Sequence, residues 1–96
     1  MNQLIIEYKT QDPIRSLVEN ALHKEERMLE MGIKHTAELL KRYEEKYNIP
    51  SKVFFEKMEN GEMGDDFDFI GWAGEYEILQ RLKQKLKNLM EIKICS

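Results

Sequence analysis

Apolar side chains recur along most of this 96-residue chain in alternating steps of three and four residues. That spacing is typical of helices that pack lengthwise against other helices. The first such run covers residues 13–47, and Ile14, Val18 and Ala21 carry an apolar stripe through its first turns. Its seam consists of Leu22, Glu26, Leu29, Ile33, Thr36, Leu40, Tyr43 and Tyr47, with Glu26 and Thr36 as the polar exceptions. The pattern predicts a long helix over residues 13–47.

Turn and cap residues set the boundaries of this helix and of a short one that follows it. Asp12 and Pro13 are typical of a helix start, because Asp accepts free amide N–H groups and Pro has no N–H to lose. Pro50 ends the long helix, since the residue before a proline is disfavoured in the helical region. A short helix is predicted over residues 51–60, and Gly61 stops it.

The short helix and a third helix account for the second half of the chain. Ser51 fits the N-cap of the short helix, and Val53, Phe54 and Met58 are predicted to face inward. A third helix is predicted over residues 66–90. Its seam consists of Trp72, Glu75, Leu79, Leu82, Leu86 and Leu89. Within the long helix, Gly32 is the one weak position and indicates a bend or a close approach of another helix.

Short strands are predicted at the two termini. Residues 4–8 combine β-branched and aromatic side chains ahead of a polar turn, and residues 91–95 alternate in period two. Two such strands could pair with each other or extend the sheet of a partner. The predicted fold class is therefore mainly α. We expect one domain, a long helical hairpin of coiled-coil-like helices with a short middle helix and short terminal β-strands.

Charge and composition narrow the classes of function. A net charge of −3 argues against a nucleic-acid-binding surface and against a basic membrane-surface helix. Charged residues make up 34% of a short chain, which leaves little interior, so we expect an oligomer or an obligate partner. The single Cys95 excludes an internal disulfide, and no apolar run is long enough for a membrane span. These features favour a cytoplasmic protein.

The segment 61–77 departs from the helical pattern, because it holds four glycines, six acids, four aromatic residues and no basic residue. Four of its positions match the spacing of a calcium-binding EF-hand loop: Asp66, Asp68, Gly71 and Glu77. The loop positions taken by Ile70 and Gly74, however, offer no side-chain oxygen. Helical spacing from Phe69 onward also opposes an open loop. We therefore expect no metal and no cofactor here.

The alternative for this segment is a capped helix start that docks against a partner. Asp65, Asp66 and Asp68 supply an N-cap and first-turn carboxylates. Phe67, Ile70 and Trp72 are predicted to hold the helix start against the core. Gly71 and Gly74 are costly inside a helix, and their spacing suggests the close approach of another backbone. The residues predicted to bind a partner are Asp68, Phe69, Trp72, Glu75, Tyr76 and Leu79.

The sequence offers little support for catalysis. No Ser or Cys lies in the strand–turn–helix context of a nucleophile, and no glycine-rich phosphate loop carries a Lys. His23 and His35 are about 18 Å apart on the first helix and cannot share a metal within one chain. We expect a protein that is not an enzyme.

Several segments of the second half form a distinctive set: Lys46 to Ser51, Phe54 to Met58, Gly61 to Asp66, Asp68 to Phe69, and Trp72 to Glu77. This set resembles small helical proteins encoded beside a toxin in two-gene toxin–antitoxin operons of bacteria and archaea. The resemblance is best over residues 42–80, and the opening around residues 7–14 is similar to archaeal members. The resemblance implies an antitoxin with a ribonuclease-like toxin as its partner. A homo-oligomeric helical scaffold or adaptor is the alternative.

Overall fold

Over residues 3–95, a computed structural model of the chain consists of three helices. It describes the backbone of residues 3–95 and the side chains of residues 13–93. Helix α1 runs over Gln3–Tyr47, α2 over Ser51–Glu59 and α3 over Phe67–Cys95. The mainly α fold class is confirmed. Across residues 3–95, no helix combines the length and apolarity that crossing a bilayer requires.

The prediction of short strands at the two termini is wrong. Residues 4–8 lie in α1 and residues 91–95 lie in α3, and the described part of the chain contains no strand. A five-residue strand leaves its backbone N–H and C=O groups without partners unless a sheet is present. Continuing an existing helix satisfies those groups locally, so α3 extends past the predicted end at residue 90.

The predicted start of the first helix at Pro13 is also wrong, because Pro13 lies inside α1. The fixed φ of proline, near −65°, matches that of a helix, so a helix can continue past this residue. The missing N–H removes one backbone hydrogen bond, and an interior proline typically costs about 3 kcal/mol. Helix α1 therefore contains a local weak point ten residues after Gln3.

Helices α1 and α3 run antiparallel along a rod of 70 × 21 × 19 Å. The two predicted seams are confirmed, because they face each other along the length of the hairpin. From α1, Leu29, Thr36 and Leu40 are buried, and α3 contributes Trp72, Leu79 and Leu89. The core is therefore a narrow stripe between two helices, closed at one end by α2.

One small and one polar residue of α1, Gly32 and Glu26, have specific partners in α3. A Cβ added at Gly32 would lie 3.2 Å from Leu82 Cδ1, so the glycine allows a close helix approach, as predicted. Lys93 Nζ donates a hydrogen bond of 2.6 Å to Glu26 Oε1, and both side chains are about three-quarters buried or more. This hydrogen bond lowers the pKa of the Glu26 carboxyl below its ordinary value.

Local backbone geometry ends α1 and α2 where the sequence indicates a stop. Asn48 adopts a φ of 53° after α1, a left-handed conformation that asparagine tolerates better than most residues. Gly61 has a φ of 72° after α2. The N–H of Gly61 donates to the Met58 carbonyl and that of Glu62 to the Lys57 carbonyl, which forms a Schellman motif. The chain can thus reverse twice within a short distance.

Helix α2 differs from its prediction in two details. Pro50 is the N-cap, with φ −64° and ψ 144°, and Ser51 is the first helical residue rather than the cap. Phe54 is fully buried and Met58 partly buried, as predicted, but Val53 is 40% exposed. Adjacent helical residues point about 100° apart, so Val53 and Phe54 cannot both face the same groove.

Candidate functional site

Trp72 lies at the junction of the three helices and is completely buried. Its ring stacks on Phe54 of α2, with centroids 3.7 Å apart and planes inclined by 4°. Two α1 rings stack against it as well, Tyr43 with centroids 5.5 Å apart and Tyr47 with centroids 5.6 Å apart. One aromatic residue therefore joins all three helices at this end of the rod.

The polar edge of the tryptophan is satisfied by the first residue of α2. Trp72 Nε1 donates a hydrogen bond of 2.8 Å to Ser51 Oγ, and Ser51 itself is buried. The backbone N–H of Ser51 donates in turn to Glu44 Oε2 at 2.7 Å. The Glu44 carboxylate thereby serves the free N-terminal amide of α2, where negative charge is favoured by the helix dipole. This capping role of Glu44 was not predicted from the sequence, because the N–H group that it binds belongs to Ser51, seven residues further along the chain.

Asp68 joins the first turn of α3 to the last turn of α1. Its Oδ2 accepts hydrogen bonds from Lys46 Nζ at 2.6 Å and from the Tyr47 hydroxyl at 2.5 Å. The bond from Lys46, and then that from Tyr47, lowers the pKa of the Asp68 carboxyl below its ordinary value. The same contacts raise the pKa of Lys46 and of Tyr47, because each favours the protonated donor. The carboxylate is one-third exposed, so solvent screens this ion pair.

The Asp68 contact predicts a measurable acid sensitivity. The pKa of Asp68 is lower in the folded chain than its ordinary value of 3.8, so the ionised carboxylate stabilises the fold above pH 3.8. This stability is lost as the pH falls through the pKa of the folded state. Asp68→Asn keeps the shape of the side chain but removes the titrating group. Wild type should therefore lose more stability than Asp68→Asn when urea midpoints are compared from about pH 6 down to about pH 2. Glu26 titrates in both proteins and cancels, and parallel pH profiles would contradict the assignment.

The cap and the early face of α3 form the surface beside this cluster. Asp66 accepts a hydrogen bond of 2.9 Å from the Asp68 N–H, so it is the N-cap as predicted. Phe67 and Ile70, in contrast, are not held against the core, because they are 91% and 53% exposed. At 100° per residue, both positions lie more than about 140° around α3 from Trp72. The helix that buries Trp72 therefore turns these two side chains to solvent.

We call the exposed surface at this end of the rod the acidic corner. It is defined by Glu59, Glu62, Asp65, Asp66, Phe67 and Ile70. Its four acidic residues are exposed and precede the exposed Phe67 in the chain, and hydrogen bonds after α2 and at the start of α3 order the backbone on either side of this segment. The arrangement suits binding of a basic macromolecule with one apolar contact.

The six predicted partner-binding residues divide by accessibility. Trp72 and Leu79 are buried within the chain and present no surface to a second molecule in this conformation. Phe69 is half-buried, with its ring edge against Tyr47 at a centroid distance of 5.2 Å. The remaining members, Asp68, Glu75 and Tyr76, are also half-buried. Partner binding by these six stays a prediction, and Trp72 and Leu79 support the others from beneath.

A second aromatic pair lies on the other side of α3 from the acidic corner. Tyr76 stacks on Phe55 of α2, with centroids 4.8 Å apart and planes inclined by 30°. A shallow cleft of about 300 Å³ adjoins the pair and is also lined by Glu77, Gln80 and Arg81. The stack fixes α2 against α3 while leaving part of the Tyr76 ring accessible.

The two glycines of α3 have different surroundings. A Cβ added at Gly71 would lie 3.0 Å from the Tyr43 hydroxyl, so this glycine makes room for a side chain of α1 and not for another backbone. Gly74 has no atom within 4 Å of an added Cβ and faces solvent. Close approach of a second backbone at Gly74 stays a prediction.

The residues that match an EF-hand spacing do not form a loop. Those from position 67 onward are helical, and the Asp68 carboxylate is bonded to Lys46 and Tyr47. Among the described side chains, no three His, Cys, Asp or Glu residues come together as a metal-binding group.

The chain matches no protein-family model, no curated protein and no solved structure.

Proposed function

We propose that this chain is a protein–protein interaction module without catalytic activity, and that it is the cytoplasmic antitoxin of a two-gene system. Its partner is a ribonuclease-like toxin, which it neutralises by binding. The proposal rests on the resemblance over residues 42–80 and on the acidic corner, which lies within those residues. The observation that carries it is the Phe67 ring, which is 91% exposed and follows four exposed acidic residues within nine positions of the chain.

Charge supports a partner that cleaves RNA. Proteins that bind nucleic-acid phosphates do so with Lys and Arg, so the working surface of a ribonuclease is basic. The segment 61–77 has six acids and no base, and three of its exposed acids, Glu62, Asp65 and Asp66, belong to the acidic corner. Complementary potentials of this kind accelerate encounter and suppress wrong partners. Covering the basic surface of the toxin would also exclude its RNA substrate.

An apolar anchor would supply affinity that exposed charges alone do not. Aromatic residues are enriched at the centres of protein interfaces, where a ring enters a pocket of the partner. Phe67 is the most exposed of the large apolar side chains of residues 13–93. Ile70, one helical turn further, extends the same apolar contact. Together the two side chains are the apolar part of the acidic corner.

The buried cluster beneath the acidic corner holds this surface in one conformation before binding. Trp72 joins the three helices, Asp68 bonds α3 to α1, and Asp66 caps α3. A surface ordered in advance loses less conformational entropy on binding, which favours affinity. In this proposal, Trp72 and Leu79 position the contact residues, and Phe69, Glu75 and Tyr76 extend the contact along α3.

A growth assay tests the proposal. The small protein encoded beside this chain is expressed alone and then together with wild type, Phe67→Glu or Ile78→Glu. We expect toxicity alone, rescue by wild type, and loss of rescue by Phe67→Glu, because a charge replaces the anchor. Ile78→Glu is the matched control, since Ile78 is exposed on α3 outside the acidic corner, and it should rescue fully.

Two outcomes would contradict the proposal at different levels. A neighbour that is harmless alone removes the antitoxin function and leaves the homo-oligomeric scaffold as the better explanation. Full rescue by Phe67→Glu, with soluble and folded protein, keeps the antitoxin function but removes the acidic corner as its binding surface.

A further inference from the structure

A second heptad pattern lies on α1, nearly opposite the seam that α3 covers. It begins at Ile14 and repeats in steps of three, four, three, four and three. We call these positions the outer seam, and they are Ile14, Leu17, Ala21, Lys24, Met28 and Met31. All six are exposed, and the four large apolar members are 55%, 68%, 59% and 71% exposed in chain order. The outer seam lies nearly half a turn around α1 from the buried seam.

An exposed stripe of this kind indicates a surface that packs against a helix. Its length is about 26 Å from Ile14 to Met31, which corresponds to more than two heptads. Contiguous apolar surface on a highly charged chain marks an interaction site more often than an isolated exposed residue does. Neither α2 nor α3 reaches it, because both pack on the other side of α1.

We propose that a second copy of this chain packs antiparallel on the outer seam to form a homodimer. A two-fold interface must be self-complementary, because the same patch is used on both subunits. With Ala21 opposite Lys24, the antiparallel register also places Ile14 opposite Met31. The same register sets Leu17 against Met28, so every large apolar side chain meets another one.

Charge favours the antiparallel orientation over the parallel one. In a parallel pair, Lys24 of one copy would face Lys24 of the other within the apolar contact, where like charges repel. In the antiparallel pair, Lys24 lies over the small Ala21 side chain instead. It is then one helical turn from Glu25 of the other copy, within reach of its long side chain. A single polar position in a seam commonly fixes register in this way.

The homodimer does not depend on the proposed toxin contact. Met31, the end of the outer seam nearest α2, lies about 22 Å along α1 from Lys46, whose ammonium group contacts Asp68. The outer seam and the acidic corner are therefore separate surfaces, and a dimer would carry two acidic corners. Each surface can fail in its own experiment without affecting the other.

Sedimentation equilibrium of the full chain tests the dimer. Wild type should be a dimer whose dissociation constant rises at least about 10-fold in Leu17→Glu and in Met28→Glu, because each removes an interface anchor. Ile78→Glu is the matched control, an equally non-conservative change at an exposed apolar position of α3, and it should dimerise as wild type does. Helical circular dichroism should be unchanged in all three, because these side chains are exposed.

Disulfide formation between single-cysteine chains tests the orientation. With Cys95→Ser as the background, a mixture of Leu17→Cys and Met28→Cys chains should form the mixed disulfide. Leu17→Cys chains alone should form none, because the two copies of position 17 are about 16 Å apart in this register and a disulfide needs Cα atoms within roughly 7 Å. Disulfides between two Leu17→Cys chains would overturn the antiparallel register.

The remaining outcomes decide the occupant of the outer seam. A monomeric wild type, or a dimer that persists in Leu17→Glu and Met28→Glu, would overturn the proposal. A monomer whose outer seam becomes protected from solvent exchange only with the toxin would assign this surface to that partner instead.

Discussion

Trp72→Ala is expected to lower the free energy of unfolding by about 3–5 kcal/mol, the usual cost of truncating a fully buried Trp or Phe. Trp72 is 0% exposed and stacks on Phe54, Tyr43 and Tyr47. The change leaves a cavity between three helices and removes the donor to Ser51 Oγ. Domains of this size are stable by only about 5–15 kcal/mol, so the loss is a large share of the total.

The measurement is urea unfolding followed by far-ultraviolet circular dichroism, since tryptophan fluorescence is absent from the variant. Phe67→Ala is the matched control, because it truncates an aromatic residue of the same helix that is 91% exposed. Its unfolding midpoint should lie close to that of wild type. Equal midpoints for Trp72→Ala and Phe67→Ala would contradict the burial of Trp72 and would favour a direct role of its ring in binding.

Phe54→Ala is expected to cost a similar amount, about 3–5 kcal/mol, and to act chiefly on α2. Phe54 is the only fully buried large side chain of this short helix, and it lies between Trp72 and Phe69. An isolated helix of nine residues is not stable in water, so α2 depends on this contact. Without the ring, α2 should separate from α3 before the hairpin of α1 and α3 unfolds.

Amide hydrogen exchange resolves this order of unfolding. Protection should fall most over residues 51–59 in Phe54→Ala, with a smaller change in the middle of α1 and α3. Val53→Ala is the matched control on the neighbouring position, which is 40% exposed, and it should leave the protection of α2 unchanged. A uniform loss of protection along the whole chain would show that α2 does not unfold separately.

Sequence patterns indicate only part of the importance of Trp72 and Phe54, the two residues with the largest expected effects. The heptad steps place Trp72 on the buried seam of α3, and the helical pattern of residues 51–60 marks Phe54 as inward-facing. Neither pattern shows that these two rings stack on each other at 3.7 Å. The role of Glu44 at the start of α2 is also absent from any local pattern, because the pair forms only once the chain has reversed at Asn48.

Sequence alone determined the buried seams of α1 and α3, the end of α1 ahead of Pro50 and the stop at Gly61. These features follow from side-chain periodicity and from local backbone preferences, which act over a few residues. Tertiary structure decided which aromatic residue of α3 is buried. Phe67 and Trp72 are both suited to a core, but they lie on different sides of the helix, and α1 and α2 cover only one of them. Burial depends on where the neighbouring helices lie, so the exposed ring of the acidic corner became visible only in three dimensions.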